Sequence, residues 1–581
     1  MREAIESPMS AYLSPLKKIF LAALTLLWLP LPFLGFDSHH DGLILSTIRL
    51  NLDALHSGGA YPFNQYGPFW TIPFVLVGQF VPGHLLFIVL RIVTVLCYFL
   101  TARLVWKIGL MYGGVKVAYW AVAFFMLSQP FVSNYGSGLV PWPSAVAMPM
   151  ATAITFLALK LMTNQEQSLW RTRFDLILMG SLLPLLILTR VQVGATILFV
   201  SVLSLFLMRA SKRFLFFLLG LTISSAGMAI YLSSHGWLIS ALSDEFVFGS
   251  LYVRGDTSTY PKLIFTALGT LFFLLLFFAV PWIRSLVNTS SYQNLRYYAL
   301  GLTLVLLFGS GLFLAHRQLA ILPITVIISR RFWISVVLAA LIFFLFSKVM
   351  TVLKERKKGV SEPRSVLLLL LVMFALASQS QVFPLFDQMH FWWGAPISFL
   401  ILTLVVQDRF GELHVWSRKI TVVISALFVV VTVLFPWVSQ ITGDYKRMPN
   451  AVISFVWDDP LRARSAAELQ NFFSESFRKD ERVLNLCRNS DVFFKEGFVK
   501  PAARAFVSWS NIFQIKDLRN SMLESNPDAI LTCPINDVPN LQASMEAEQE
   551  KLLETIYPKR VLVKSYSDAL GAQWKVYRAV P

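Results

Sequence analysis

The chain has 581 residues, of which 56% are hydrophobic and only 14% charged, with a mean hydropathy of +0.62 and a formal net charge of +17. A soluble domain carries about a quarter charged residues, so this composition excludes a purely soluble protein and makes the lipid bilayer the main solvent. The basic residues stand at the ends of apolar runs and form no patch interleaved with exposed aromatics, which argues against nucleic acid as a partner.

Apolar runs long enough to cross a hydrocarbon core ~30 Å thick recur between Ile19 and Trp437. The first follows Lys17 and Lys18 as a signal peptide would, but it lacks a small-x-small cleavage site and is expected to remain as a helix. Lys and Arg collect in cytoplasmic loops. The N-terminus is therefore inside, as are the stretches holding Lys107 and Lys116, Arg171 and Arg173, Arg209, Lys212 and Arg213, and Lys354, Arg356, Lys357 and Lys358, with weaker signals at Arg284 and Arg418. These loops share one side only if residues 69–81 and 321–328 do not cross, and both are read as re-entrant or interfacial. Thirteen crossings remain, at 19–35, 84–107, 117–133, 143–161, 174–189, 191–208, 214–232, 263–283, 296–314, 332–350, 365–378, 394–407 and 419–437. An odd count puts the C-terminus outside.

The predicted outside loops hold the unusual residues. After the first run comes Phe36-Asp37-Ser38-His39-His40-Asp41-Gly42, four ionisable side chains within five positions. Such a cluster suits acid/base work or a metal; the plainer alternative is a solvated or capping cluster. Leu45, Ile48, Leu52 and Leu55 then recur at helical spacing, which predicts a helix lying in the membrane interface and ended by Gly58-Gly59. A turn through Tyr66-Gly67-Pro68 follows. Further polar outside segments are 235–262, with Asp244, Glu245, Tyr252, Arg254, Asp256 and Tyr260; His316-Arg317-Gln318; and 379–393, where Asp387 and His390 share a face if the stretch is helical. Trp392 and Trp393 read as an interfacial aromatic belt.

From about residue 443 the chain turns polar, which divides it into a membrane module, 1–442, and a domain, 443–581. A helical pattern around 467–473, strand-like 483–486, a helical stretch at 518–523 and strands at 529–533, 560–563 and 574–577 predict an α/β layer. It has no glycine-rich phosphate loop, so it is expected to bind an acceptor or partner, with plain structural support as the equal alternative. Of the three cysteines, Cys97 falls in a membrane run. Cys487 and Cys533 fall in the outside domain, where one bridge is allowed, although two separately buried thiols are the favoured expectation.

An N-terminal helix, an outside loop with an acidic motif, an amphipathic helix, a Tyr-Gly-Pro turn, many further helices and a C-terminal extracytoplasmic α/β domain together resemble the GT-C superfamily of integral membrane glycosyltransferases. The stretch from His39-His40-Asp41-Gly42 to Tyr66-Gly67-Pro68 is similar to bacterial members, and Phe383-Pro384 with Asp387 and His390 resembles one of their late outside motifs. The resemblance implies a multi-pass α-helical fold in the plasma (inner) membrane and a polyprenyl-phosphate sugar donor. It also implies inversion at the anomeric centre and a glycan, lipid or protein acceptor in the cell envelope. It makes Asp41 the base, with Asp37 as the substitute, and has His39 and His40 orient the acceptor or join Asp41 around a divalent ion such as Mg or Mn. Many GT-C enzymes carry a second acid in the next outside loop, whereas residues 133–141 have none. Donor phosphate charge then falls to Arg190, Arg254, Arg317 and His316, whose plainer role is headgroup contact, while Tyr66, Asp387 and His390 are the substrate candidates. Two rivals stay open. A lipid-linked glycan ligase or polymerase would place its large outside loop between helices, and a transporter would need ionisable residues at mid-membrane.

Overall fold

The computed structural model describes, with short interruptions, residues 15–128, 141–244, 266–275, 323–410, 445–487, 499–502, 526–533 and 550–579. Helix α1, Pro15–Trp28, stops earlier than the first apolar run suggested, because Pro30 and Pro32 cannot donate to a continuing helix; the chain turns through a 3₁₀ segment, Leu31–Phe33. Helix α2, Ser38–Ser57, is the expected amphipathic helix, with Ile44, Leu45, Ile48 and Leu52 buried. Gly58 ends it at φ +65°, the left-handed conformation usual after a helix. Helix α3, Thr71–Gly78, has 8 residues and rises only about 12 Å, too short to cross, as expected for 69–81.

The predicted crossing 84–107 and residues 117–127 of the next, 117–133, are parts of α4, Gly83–Leu127, joined at a kink where Gly114 has φ +70°. Beside the kink, a Cβ on Gly109 would lie 2.6 Å from the Ala118 Cα, so the two limbs need a bare backbone there. Helices α5, Pro143–Thr163, α6, Leu169–Ile187, α7, Val191–Leu207, and α8, Ser211–Ser234, follow. Helices α6 and α8 meet through Gly180 and Gly220, where a Cβ would strike a carbonyl oxygen of the facing helix at 2.1 and 2.0 Å respectively. Small residues at a crossing allow the backbone approach that drives helix association in lipid.

Residues 321–328 were expected to re-enter without crossing. Residues 323–328 instead continue into the next run as one helix, α9, Pro323–Lys357, because nothing between Pro323 and the apolar window breaks the helical ladder. Helix α10, Pro363–Ser378, a 3₁₀ turn at Gln379–Val382, α11, Gln388–Gly394, and α12, Pro396–Phe410, complete the helical part. Among the described residues five helical stretches are long and apolar enough to span a membrane: Gly83–Leu127, Pro143–Thr163, Phe214–Ser234, Ile334–Glu355 and Pro363–Val382. The predicted crossings 296–314 and 419–437 lie outside the described residues.

Trp392 and Trp393 are not an interfacial belt. Both are buried, because α11 tucks under α4: Trp392 stacks on Phe125 with ring centroids 4.8 Å apart and meets Tyr98 edge-on at 5.0 Å, and its Nε1 donates to the Phe125 carbonyl. Trp28 closes this aromatic cluster.

In the C-terminal region a two-stranded antiparallel ribbon, β1 (Lys446–Arg447) with β2 (Trp457–Asp458), leads into helix α13, Pro460–Ser476. Asp459 caps that helix by accepting from the Leu461 and Arg462 amides. Strands β3 (Glu481–Asn485), β4 (Val499–Pro501), β5 (Ala529–Thr532), β6 (Arg560–Ser567) and β7 (Gln573–Ala579) form one mixed sheet in the order β4-β3-β5-β7-β6. The expected α/β layer is present, and the change of composition near 443 lies outside the described residues. Cys487 and Cys533 are not bridged, yet they are not separately buried either: their thiols are within hydrogen-bonding contact at the ends of the parallel pair β3 and β5.

Candidate active site

Asp41 lies in the first turn of α2 and is buried. Its Oδ2 is 2.5 Å from Nη2 of Arg91, whose side chain is as fully enclosed. The same guanidinium also holds the preceding loop through both of its Nη atoms. Nη1 donates to the Pro32 carbonyl at 3.0 Å and reaches Leu34 O at 3.4 Å, Nη2 donates to Gly35 O at 2.9 Å, and the group lies 4.4 Å from the Phe87 ring centre. One arginine from α4 therefore fixes both the loop backbone and Asp41. A planar fork with several donors suits that task where a lysine would not. Gly35 has φ +70°, which lets the chain reverse between these contacts and the helix start.

His39 and His40 fall in the same first turn, although their side chains, like Asp37, lie outside the described residues. Among the described residues no three His, Cys, Asp or Glu side chains gather as a metal site would require. The described residue on the Asp41 carboxylate is a cation rather than a second acid, which does not suit a divalent ion at Oδ2.

A second group of candidates assembles around Arg190, which is buried just beyond α6. Its guanidinium lies 5.1 Å from the Tyr66 ring centre, and Nη2 donates to the Gln381 carbonyl at 3.2 Å. Tyr66 is held by the side chain of Asn64, whose Oδ1 accepts from the Tyr66 amide and from Trp70 Nε1 while its amide group donates to Gly67 O. The Phe69 amide then donates to Leu188 O, tying the Tyr-Gly-Pro turn to the end of α6. Tyr66 meets Trp142 edge-on at 5.3 Å, Trp142 stacks on Trp393 at 6.4 Å, and Trp393 meets the buried His390 at 5.3 Å. Trp393 Nε1 donates to Tyr98 Oη. Tyr98 stands two turns from Arg91 on α4, on the same helix face, so one helix supports both groups.

Two sequence candidates, Tyr66 and Arg190, thus meet directly, His390 is linked to them through Trp393 and Trp142, and Asp41 is brought to Arg91. Arg254, His316, Arg317 and Asp387 lie outside the described residues. Sequence reading missed Arg91, Trp142 and Gln381. Arg91 carried a signal, since a charge inside an apolar run is costly unless paired.

The first loop also touches the C-terminal region. The Gly35 amide donates to Trp457 O at 2.8 Å and the Phe36 amide to Asp458 Oδ2 at 2.9 Å. The loop before the motif therefore packs on the ribbon of β1 and β2 at the start of the C-terminal region. A separate small cleft of about 10 Å³, room for about one water, is lined by Asn51, Tyr61, Thr71, Tyr231 and Trp237 among others and opens further along α2.

No protein-family model matches the sequence, and no curated protein matches it. Among solved structures the chain is similar to ArnT from Cupriavidus metallidurans in the apo state, at 10% identity over 96% of this chain and 97% of that one, with a TM-score of 0.46. It is also similar to ArnT from the same organism bound to undecaprenyl phosphate, at 12% identity over 96% and 97%, with a TM-score of 0.41. A third similar structure is the archaeal oligosaccharyltransferase AglB from Archaeoglobus fulgidus in complex with an inhibitory peptide and a dolichol-phosphate, at 13% identity over 98% of this chain and 74% of that one, with a TM-score of 0.44.

Proposed function

We propose that this protein is an integral membrane glycosyltransferase of the GT-C type, moving a sugar with inversion from a polyprenyl-phosphate donor to an acceptor in the cell envelope. The observation that carries the reading is that predicted outside segments meet one another: the Asp41 loop touches the C-terminal region, and Tyr66, Arg190 and the 379–393 segment touch one another. On this reading 1–442 is the membrane transferase module and 443–581 an extracytoplasmic domain that binds acceptor or supports the loop.

Inverting displacement needs a base for the acceptor hydroxyl and a partner for the departing phosphate. Asp41 is the base. With Oδ2 given to Arg91, the acceptor proton passes to Oδ1 as the acceptor oxygen bonds the anomeric carbon. The bond from that carbon to the phosphate oxygen breaks, and its electron pair leaves with the polyprenyl phosphate. Arg190 meets the phosphate charge, a role for which a guanidinium fork is well shaped. His39 and His40, in the same turn as Asp41, orient the acceptor; no step is routed through a metal.

The test is transfer from a polyprenyl-phosphate sugar by the purified protein, paired with analysis of envelope glycans in a deletion strain. Asp41→Asn keeps size and most hydrogen bonding but loses basicity, and general base catalysis is worth roughly 10²- to 10⁴-fold. A fall of that order in turnover with donor binding retained supports the assignment. Near-normal transfer in Asp41→Asn with loss in Asp37→Asn moves the role to Asp37. A phosphatase fused after Pro581 should be active in a bacterial host, and a silent fusion would refute the extracytoplasmic placement.

A further inference from the structure

The loop that leads into the His-His-Asp motif is held from two directions by parts of the chain far apart in sequence. From the helical side, Arg91 takes the carbonyls of Pro32, Leu34 and Gly35. From the other side, Leu34 bridges in parallel to Trp457, and the Gly35 amide donates to Trp457 O. The Phe36 amide donates to Asp458 Oδ2, and Arg462 Nη1 donates to the Phe36 carbonyl at 3.2 Å. Asp458 is 3% exposed, and its Oδ2 lies 3.6 Å from Arg462 Nη1, so acid and base form a two-pronged grip on one peptide unit at each side of Phe36. Asp459 fixes the geometry of that grip by capping α13 through the Leu461 and Arg462 amides.

We propose that Asp458 and Arg462 are positioning residues: a clamp by which the C-terminal region sets the first loop, and through it the Asp41–Arg91 pair. The proposal rests on the reading of that loop as the reaction site. The contacts are to main chain, so the clamp recognises the shape of the loop and not its side chains. The distance along the chain from Phe36 to Asp41 is little more than one helical turn, so a shift of the clamped peptide is carried to the Asp41 carboxylate through the start of α2. Neither residue takes part in the bond changes; each governs where the base stands.

Hydrogen exchange of the intact protein in detergent micelles tests the grip without any substrate. In Asp458→Ala, amides of the segment 34–41 should exchange about tenfold faster, the loss of one buried hydrogen bond, while those of α13 and β3 stay protected. Asp458→Asn has one amide oxygen for the two amides, of Phe36 and Asp459, that the carboxylate accepts from, so it should restore part of the protection. Arg462→Ala is the second variant, for use if Asp458→Ala unfolds the region, and should also loosen 34–41. Unchanged exchange there in a folded Asp458→Ala, or in Arg462→Ala where the former does not fold, overturns the clamp. Positioning is read by transfer from a polyprenyl-phosphate sugar: kcat should fall in the alanine variants and recover in part in Asp458→Asn, with donor KM unchanged. Faster exchange with unaltered kcat overturns the positioning role. Wild-type protein with no transfer but with the exchange pattern intact would instead overturn the transferase reading and leave the grip in place.

Discussion

The Asp41 carboxylate and the Arg91 guanidinium, joined at 2.5 Å, are both fully buried, and Arg91 also binds the carbonyls of Pro32, Leu34 and Gly35. Removing one partner of such a pair strands a charge, at a cost of about 3–5 kcal/mol. Arg91→Met should therefore lower thermal stability and yield sharply. The double variant Asp41→Asn with Arg91→Met should unfold at a higher temperature than Arg91→Met alone, because the stranded carboxylate is gone. Thermal unfolding in detergent measures both. If the double variant is no better than the single, the loop carbonyls and not the carboxylate are what Arg91 chiefly serves.

Arg190 is buried over Tyr66 and bonded to the Gln381 carbonyl. If its charge receives the donor phosphate, Arg190→Ala should weaken polyprenyl-phosphate binding about ten- to a hundredfold, the worth of a charge-assisted hydrogen bond. Arg190→Lys should restore little, since an ammonium cannot reproduce the fork or the stacking on Tyr66. Titration of the purified variants with a polyprenyl phosphate checks this. Full affinity in Arg190→Ala would leave Arg190 a structural tie between α6 and the 379–382 turn.

Length and spacing made the helical scaffold legible: apolar runs of membrane length, the amphipathic spacing of Leu45, Ile48, Leu52 and Leu55, and the short 69–81 stretch all describe what the backbone does locally. Trp392 and Trp393 were misread because an aromatic pair at the end of a run looks the same whether it faces headgroups or packs under α4; the deciding contacts, with Phe125 and Trp142, come from distant sequence. That residues 323–328 continue into the next run as one helix was not legible for a different reason, since loop charges constrain topology only through a count and do not report helix continuity. Within the candidate site Asp41 stood out because four ionisable groups crowd one loop. Arg91 was marked only as a charge inside an apolar run, and Asp458 and Arg462 not at all, because each matters through a partner that sequence spacing cannot supply.

The thiols of Cys487 and Cys533 should close to a disulfide on mild oxidation. The parallel register Asn485↔Leu531, continued by the Leu486 amide donating to Leu531 O, sets these cysteines opposite each other just beyond the strands. Burial pushes the Cys487 thiol well above its ordinary pKa, so the half-buried Cys533 is the sulfur that attacks first. With oxidised dithiothreitol, two thiols give up two hydrogens to the reagent and one bond forms. Alkylation after denaturation should then label one cysteine, Cys97, in place of three, and the bridged protein should be more stable by roughly 2–4 kcal/mol. Labelling of all three after oxidation would show that the pair cannot reach bonding geometry.

Asp458 makes the region that grips the first loop sensitive to pH. Burial pushes its carboxyl up to about 6, against the pull of Arg462 and the amides of Asp459 and Phe36, with Asp459 adding a little like charge. Lys446, its partner across the ribbon, is the other charged neighbour in register. A folded-state value above the unfolded one means that the native protein holds this proton more tightly. The stability it contributes is complete below the ordinary aspartate range and is lost as pH rises through about 6. A rise of that size corresponds to an effect on the order of 3 kcal/mol. Asp458→Asn fixes the neutral form, so its stability relative to wild type should rise between the ordinary aspartate range, near pH 3.8, and about pH 6 and level off above that window. Comparing the two proteins cancels the titration of every other carboxylate. A wild type that gains on Asp458→Asn as pH rises would mean that the Arg462 pairing outweighs burial, and that the clamp is held by charge.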